Sequence, residues 1–221
     1  MWAHGGDAVA DDAATDVHLG AAHGSAGIAL SLAVWGRDTG CARSLNLARE
    51  AFLRLFQSGR TADGRALRHK LGLQTGAHCG TWCHGSAGYL WCMLHAFGDD
   101  PSLRAPIDWA VRALMGTPLL ANSGYCHGMA GQLELWSLLA EYPRHAGIAG
   151  RRAALAAQLL EHQGFRANNL WAWPAEEPDQ IRPALWTGTL GPACALALFH
   201  SGGRHTLFSR QTLTRVFAPQ S

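Results

Sequence analysis

The sequence predicts an all-α protein built from α/α hairpin repeats, and three observations carry that reading. A short glycine motif recurs four times along the 221 residues, an apolar run follows each copy, and a polar-faced run of helical period follows each apolar run. No segment sustains the two-residue alternation of a strand.

The copies are His23-Gly24-Ser25-Ala26-Gly27, His84-Gly85-Ser86-Ala87-Gly88, His127-Gly128-Met129-Ala130-Gly131 and a degenerate Thr187-Gly188-Thr189-Leu190-Gly191. Their first glycines are separated by 61, 43 and 60 residues. The apolar runs Ile28 to Trp35, Tyr89 to Phe97, Gln132 to Tyr142 and Pro192 to His200 are expected as inner helices, apolar on every side. The runs Ala42 to Gln57, Leu103 to Met115, Ile148 to Gln163 and His205 to Val216 alternate Arg, Glu and Gln with Leu, Ala and Phe, and are expected as outer helices that cover them. A residue without a Cβ lets the chain turn sharply into the helix and lets neighbouring helix starts approach closely around a common axis, which are the expected roles of the repeated glycines. The stretches 72–81 and 167–182, rich in Gly, Pro and Trp, read as loops. Residues 1–18 carry no period and are expected to be irregular, so the reading is one domain over residues 1–221 with about four hairpins.

Composition narrows the function. Hydrophobic residues make up 48% and charged residues 15%, which suits a chain that buries a core. The formal charge is only +2 and the arginines are scattered, so the sequence offers no electrostatic footprint for nucleic acid. No apolar run reaches the roughly 20 residues of a membrane span. Residues 1–16 also lack the basic and apolar regions of a signal peptide, so a cytoplasmic location is expected. In a reducing compartment the six cysteines favour metal binding, catalysis or burial over disulfides.

Two of those cysteines stand out. Cys83 directly precedes the second motif and Cys126 the third, at equivalent points of consecutive repeats, and a histidine follows each. Thiolate and imidazole donors at helix mouths suit zinc, so Cys83, Cys126 and His127 read as a three-ligand Zn2+ site with one coordination position open. A closed structural site would need a fourth protein ligand, for which His78, Cys79 and His84 are at hand. Cys41, Cys92 and Cys194 lie in apolar runs and are expected in the core.

With Trp82-Cys83-His84-Gly85, Tyr125-Cys126-His127-Gly128 and Ala22-His23-Gly24 in this order, the chain resembles the lanthionine synthetase C-like family, over nearly its whole length. The resemblance implies an (α/α) toroid, here a partial one, with zinc held by Cys83, Cys126 and His127 and with His23 as an acid/base residue. Asp7 and Asp16 are what remains to stand in for the family's earlier acidic residue, and neither precedes a glycine motif. The family's ring has about seven hairpins, so this chain is expected to correspond to the C-terminal portion: a truncated gene product, a piece completed by another polypeptide or domain, or a remnant.

The reaction implied is addition of a peptide cysteine thiolate to dehydroalanine or dehydrobutyrine in a dehydrated precursor peptide, closing a thioether ring. His23 is the candidate proton donor to the resulting enolate, and His84 a candidate to orient a ligand, stabilise the enolate or cap its helix. The alternative is a zinc- and thiol-peptide-binding module, or an inactive remnant, without turnover. A carbohydrate-processing toroid would need carboxylates at the inner-helix mouths, where Cys and His stand instead.

Overall fold

The structure, a computed structural model, describes residues 17–70, 80–167, 169–174 and 180–202. The chain divides into two compact units, Met1–Pro118 and Leu119–Ser221. Among the described residues there are seven α-helices and one two-stranded hairpin.

In the first unit, α1 (Ser25–Thr39) and α2 (Ala42–Ser58) form one hairpin, and α3 (Ser86–Phe97) and α4 (Arg104–Met115) the next, with α1 packed on α3. The apolar composition of α3 makes it the core helix, with ten of its twelve residues buried. The outer helix α2 instead buries only Ala48, Phe52 and Leu55, one stripe at helical spacing. Tyr89 of α3 donates its buried hydroxyl to the Phe52 carbonyl at 2.8 Å, a polar tie across this contact. Arg37 at the end of α1 donates to the carbonyls of His95 and Ala96, placing a cation at the C-terminal turn of α3. α1 is less covered than α3: Ile28, Val34 and Trp35 are exposed.

In the second unit, α5 (Met129–Ala140) packs against α6 (Ala146–Gln163) and α7 (Leu190–His200). Ten of the twelve residues of α5 are buried. α6 faces inward through Ala149, Ala153, Ala156, Ala157 and Leu160, a stripe of mostly small side chains that permits close packing.

The stretch from 167 to 182 is not wholly loop. β1 (Phe165–Ala167) and β2 (Leu170–Ala172) pair antiparallel, with Arg166 opposite Trp171. Asn169 takes a left-handed φ of 63° between them, a conformation its short polar side chain tolerates. Trp173, just beyond, is buried and donates from its indole to the Leu160 carbonyl at 2.7 Å, docking the segment on α6.

The expected inner helices correspond to α1, α3, α5 and α7, and three of the four outer runs to α2, α4 and α6. The run His205 to Val216 lies outside the described residues, as do residues 1–16 with Asp7 and Asp16, and His78 and Cys79. Of residues 1–18, Val17 and His18 are described; His18 forms an isolated antiparallel bridge with Lys70. No helix among the described residues is long and apolar enough to cross a membrane.

Candidate functional site

The glycine motif solves a local crossing problem. Before α1, α5 and α7 the chain loops back against the helix's own first turn, and backbone carbonyls there receive the N–H groups that a helix start otherwise leaves orphaned. Ser25, Ala26 and Gly27 donate to the carbonyls of His18, Leu19 and Gly20, and Met129 and Ala130 donate to those of Asn122 and Ser123. A Cβ on Gly27 would stand 2.0 Å from the Ala21 carbonyl oxygen, and one on Gly88 1.7 Å from that of Trp82. On Gly128 it would meet the Asn122 carbonyl oxygen at 2.4 Å. The requirement for glycine is therefore intrarepeat: the crowding atoms belong to the loop a few residues upstream.

The first unit's mouth holds His23, Cys83 and His84. Cys83 is buried three residues before α3, and its carbonyl accepts the Ala22 N–H at 3.1 Å, which sets the residue before His23 against the Cys83 backbone. Gly20 allows this approach, since a Cβ there would lie 2.1 Å from the Cys83 carbonyl oxygen and 2.6 Å from the His84 Cα. His23 is exposed, with its ring centroid 5.4 Å from that of His84.

In the second unit, Cys126 and His127 directly precede Gly128, the N-cap of α5, and are half-buried. The N–H groups of Tyr125 and Cys126 both donate to the Trp186 carbonyl, at 3.1 and 2.9 Å, so the degenerate fourth motif braces the third. Gly124 N–H donates to the Asn122 side chain at 2.6 Å, which tightens the approach to Cys126.

The donor pair in this mouth fits a zinc ion. Sγ of Cys126 and Nε2 of His127 lie 3.8 Å apart. Donors at about 2.3 Å and 2.0 Å from one tetrahedral zinc would lie about 3.5 Å apart, so adjacent residues already point a sulfur and a nitrogen toward one place. Cys83, the third expected ligand, belongs to the first unit.

The other cysteines differ in kind. Cys92 is fully buried in α3, and burial pushes its thiol well above the ordinary range, as expected of a core residue. Cys41, expected in the core, is half-exposed at the N-cap of α2, because it precedes that helix and does not lie on its inner stripe. The Ser44 hydroxyl, 3.3 Å away, lowers its pKa together with nearby backbone N–H groups. Cys194 is partly buried, and burial and the Glu134 charge raise its pKa.

Two histidines at the first mouth escaped the sequence reading. His18 and His69 stand beside His84, with the His69 and His84 ring centroids 3.9 Å apart and those of His18 and His69 5.2 Å apart. The signal for His18 was positional: it lies six residues before Gly24, where the chain loops back on the helix start.

The family model for lanthionine synthetase C-like protein matches residues 5–210. A solved structure of a nisin cyclase matches with a TM-score of 0.60 at 19% identity, over 89% of this chain and 50% of that one. This chain thus spans half the length of the structure it matches, and the likeness shows a shared fold of α/α-toroid type. No curated protein matches the chain. With a family match across most of its length and the Cys83, Cys126-His127 and His23 motifs in order, the chain belongs to the lanthionine synthetase C-like family.

Proposed function

We propose that this chain is a zinc-dependent lanthionine cyclase, or the zinc-bearing portion of one. It adds a cysteine thiol of a dehydrated precursor peptide to a dehydroalanine or dehydrobutyrine residue. The observation that carries the reading is the convergence of Cys126 Sγ and His127 Nε2 at 3.8 Å within a matched family motif.

Cys83, Cys126 and His127 would hold the ion, each just upstream of an inner-helix start. When bound, zinc lowers the pKa of a thiol in its open position and so supplies a thiolate nucleophile at neutral pH. The chain's residues do the remainder. The sulfur lone pair forms a C–S bond to the β-carbon of the acceptor, and the π electrons move toward the α-carbon and its carbonyl as an enolate. The thiol proton leaves to solvent as the thiolate forms; His23 gives a proton to the α-carbon, completing the thioether, and is reprotonated from solvent, so no net proton is gained or lost. Its exposed position beside the Cys83 backbone suits a group that must reach a peptide. A reducing compartment such as the cytoplasm keeps Cys83 and Cys126 available as ligands.

Two arms test the proposal. Zinc content is measured for the purified chain and for Cys83→Ala and Cys126→Ala, with loss of about one equivalent expected in each variant; unchanged metal would remove the site. The chain is then incubated with a dehydrated precursor peptide, and ring closure is followed by thiol alkylation and mass spectrometry, because cyclisation itself leaves the mass unchanged. His23→Ala should lower the rate on the order of a hundredfold or more, with zinc retained.

A second reading is favoured by the chain's span of half the matched cyclase. It is a zinc- and thiol-peptide-binding module that gains turnover only when another polypeptide completes it. The exposed apolar stripe of Ile28, Val34 and Trp35 on α1 would receive that partner. Zinc retention and peptide binding without ring formation would select this reading.

A further inference from the structure

We propose that His18, His69 and His84 form a second divalent-metal site, made only of imidazoles. One ring nitrogen from each residue lies within 4.8 Å of the other two, and all three side chains are half-buried. Three nitrogens around a tetrahedral zinc at about 2.0 Å would sit about 3.3 Å apart, so modest side-chain rotations close the set on an ion. Three imidazoles with a fourth position left to water are the donor pattern of open zinc centres, and imidazole also accepts Co2+, Ni2+ and Cu2+.

The cluster is built by the backbone, which distinguishes it from a chance gathering of surface rings. His18 and Lys70 form an antiparallel bridge, and the Leu19 N–H donates to the His69 carbonyl at 3.1 Å, so His18 and His69 are carried on paired segments. The His18 carbonyl in turn accepts the N–H of Ser25 at 3.0 Å, which fastens this segment to the start of α1. His84 is brought in by Gly20, whose missing Cβ would stand 2.6 Å from the His84 Cα. The loop carrying His69 is fixed to the start of α3 where the buried Ser86 hydroxyl accepts the Leu67 N–H at 3.0 Å. Three segments far apart in sequence are thus locked together around the three rings before any ion arrives, which reduces the ordering cost of binding.

The site sits beside the candidate acid. The His84 ring is 3.9 Å from His69 on one side and 5.4 Å from His23 on the other, centroid to centroid. An ion held by His84 fixes that ring's orientation and places positive charge next to His23. Its ligand class is water or another small oxygen or sulfur donor.

The test uses the whole chain, stripped with a chelator and titrated with Co2+. Two equivalents are expected, one with a near-ultraviolet thiolate-to-cobalt band and one with visible ligand-field absorption but no thiolate band. His69→Gln and His18→Gln should each lose one equivalent and keep the thiolate band, which also reports that the variant is folded. Cys126→Ser should lose the thiolate band and keep the other equivalent. A wild-type chain that takes up only one equivalent overturns the proposal whether or not the variants fold, as does His69→Gln retaining both. If instead Cys126→Ser leaves the thiolate band intact while the histidine variants lose their equivalent, the zinc assignment of the preceding section fails and this one stands.

Discussion

In the first motif the carbonyl that receives the N–H following the first glycine belongs to His18; in the third it belongs to Asn122, and in the fourth to Arg182. The bonds are alike, at 3.0, 2.7 and 2.9 Å, although the three side chains share no chemistry. Likewise the residue two before the glycine is Ala22 in the first motif and Cys126 in the third. The frame is held by main-chain atoms and by the absence of a few Cβ atoms, so the side chains displayed on it are free to differ. The first unit's mouth has gathered several imidazoles around its one thiol, Cys83, and the second holds the thiol of Cys126 with the imidazole of His127.

That comparison breaks most directly at the glycines. Gly88→Ala would set a methyl 1.7 Å from a backbone oxygen, and a loss of about 3 kcal/mol or more is expected from the urea midpoint. Gly128→Ala, with the nearest oxygen at 2.4 Å, should cost a similar or slightly smaller amount. A Gly128→Ala chain as stable as wild type would show that the mouths do not share a frame.

A second contrast lies seven residues beyond the second glycine, where α3 has His95 and α5 has Leu138. Burial, with a smaller contribution from the Arg37 charge, lowers the His95 pKa from 6.5 to about 4. Between these values the unfolded chain binds the extra proton and the folded chain does not. The contribution of His95 is therefore complete above about pH 6.5 and declines as the pH falls toward 4, by up to about 3 kcal/mol, less where solvent reaches the ring. His95→Leu, which copies the second unit, should flatten the stability profile in this window in denaturation measured at several pH values.

The smallest expected effect has the opposite sign. Gly150, inside the outer helix α6, has nothing within 4 Å of where a Cβ would stand. Gly150→Ala should raise stability by about 0.5–1 kcal/mol in thermal melts, since it restricts the unfolded chain and clashes with nothing.

The inner helices were legible because a helix that is apolar all round can only be buried, as α3 and α5 are. The outer helices were legible through stripes such as Ala48, Phe52 and Leu55. Cys126 and His127 could be read as a pair because neighbours in sequence stayed neighbours at one mouth. His69 could not, since its place depends on a few isolated long-range contacts, such as the bridge between residues 18 and 70, which leave no period in the sequence. The β1–β2 hairpin was equally silent, because three residues per strand are too few to alternate visibly. Of the two roles expected for the glycines, the sharp turn into the helix dominates: the atoms nearest Gly27, Gly88 and Gly128 are those of their own upstream loops.

The loop that delivers His69 has one more anchor: the indole of Trp109, on the outer helix α4, donates to the Gly64 carbonyl at 2.6 Å. A shift of α4 would pull on this tether and retune the angle of an imidazole several residues along the chain. Variation on the periphery of the first unit could thus adjust its histidine-lined mouth while every residue there stays the same.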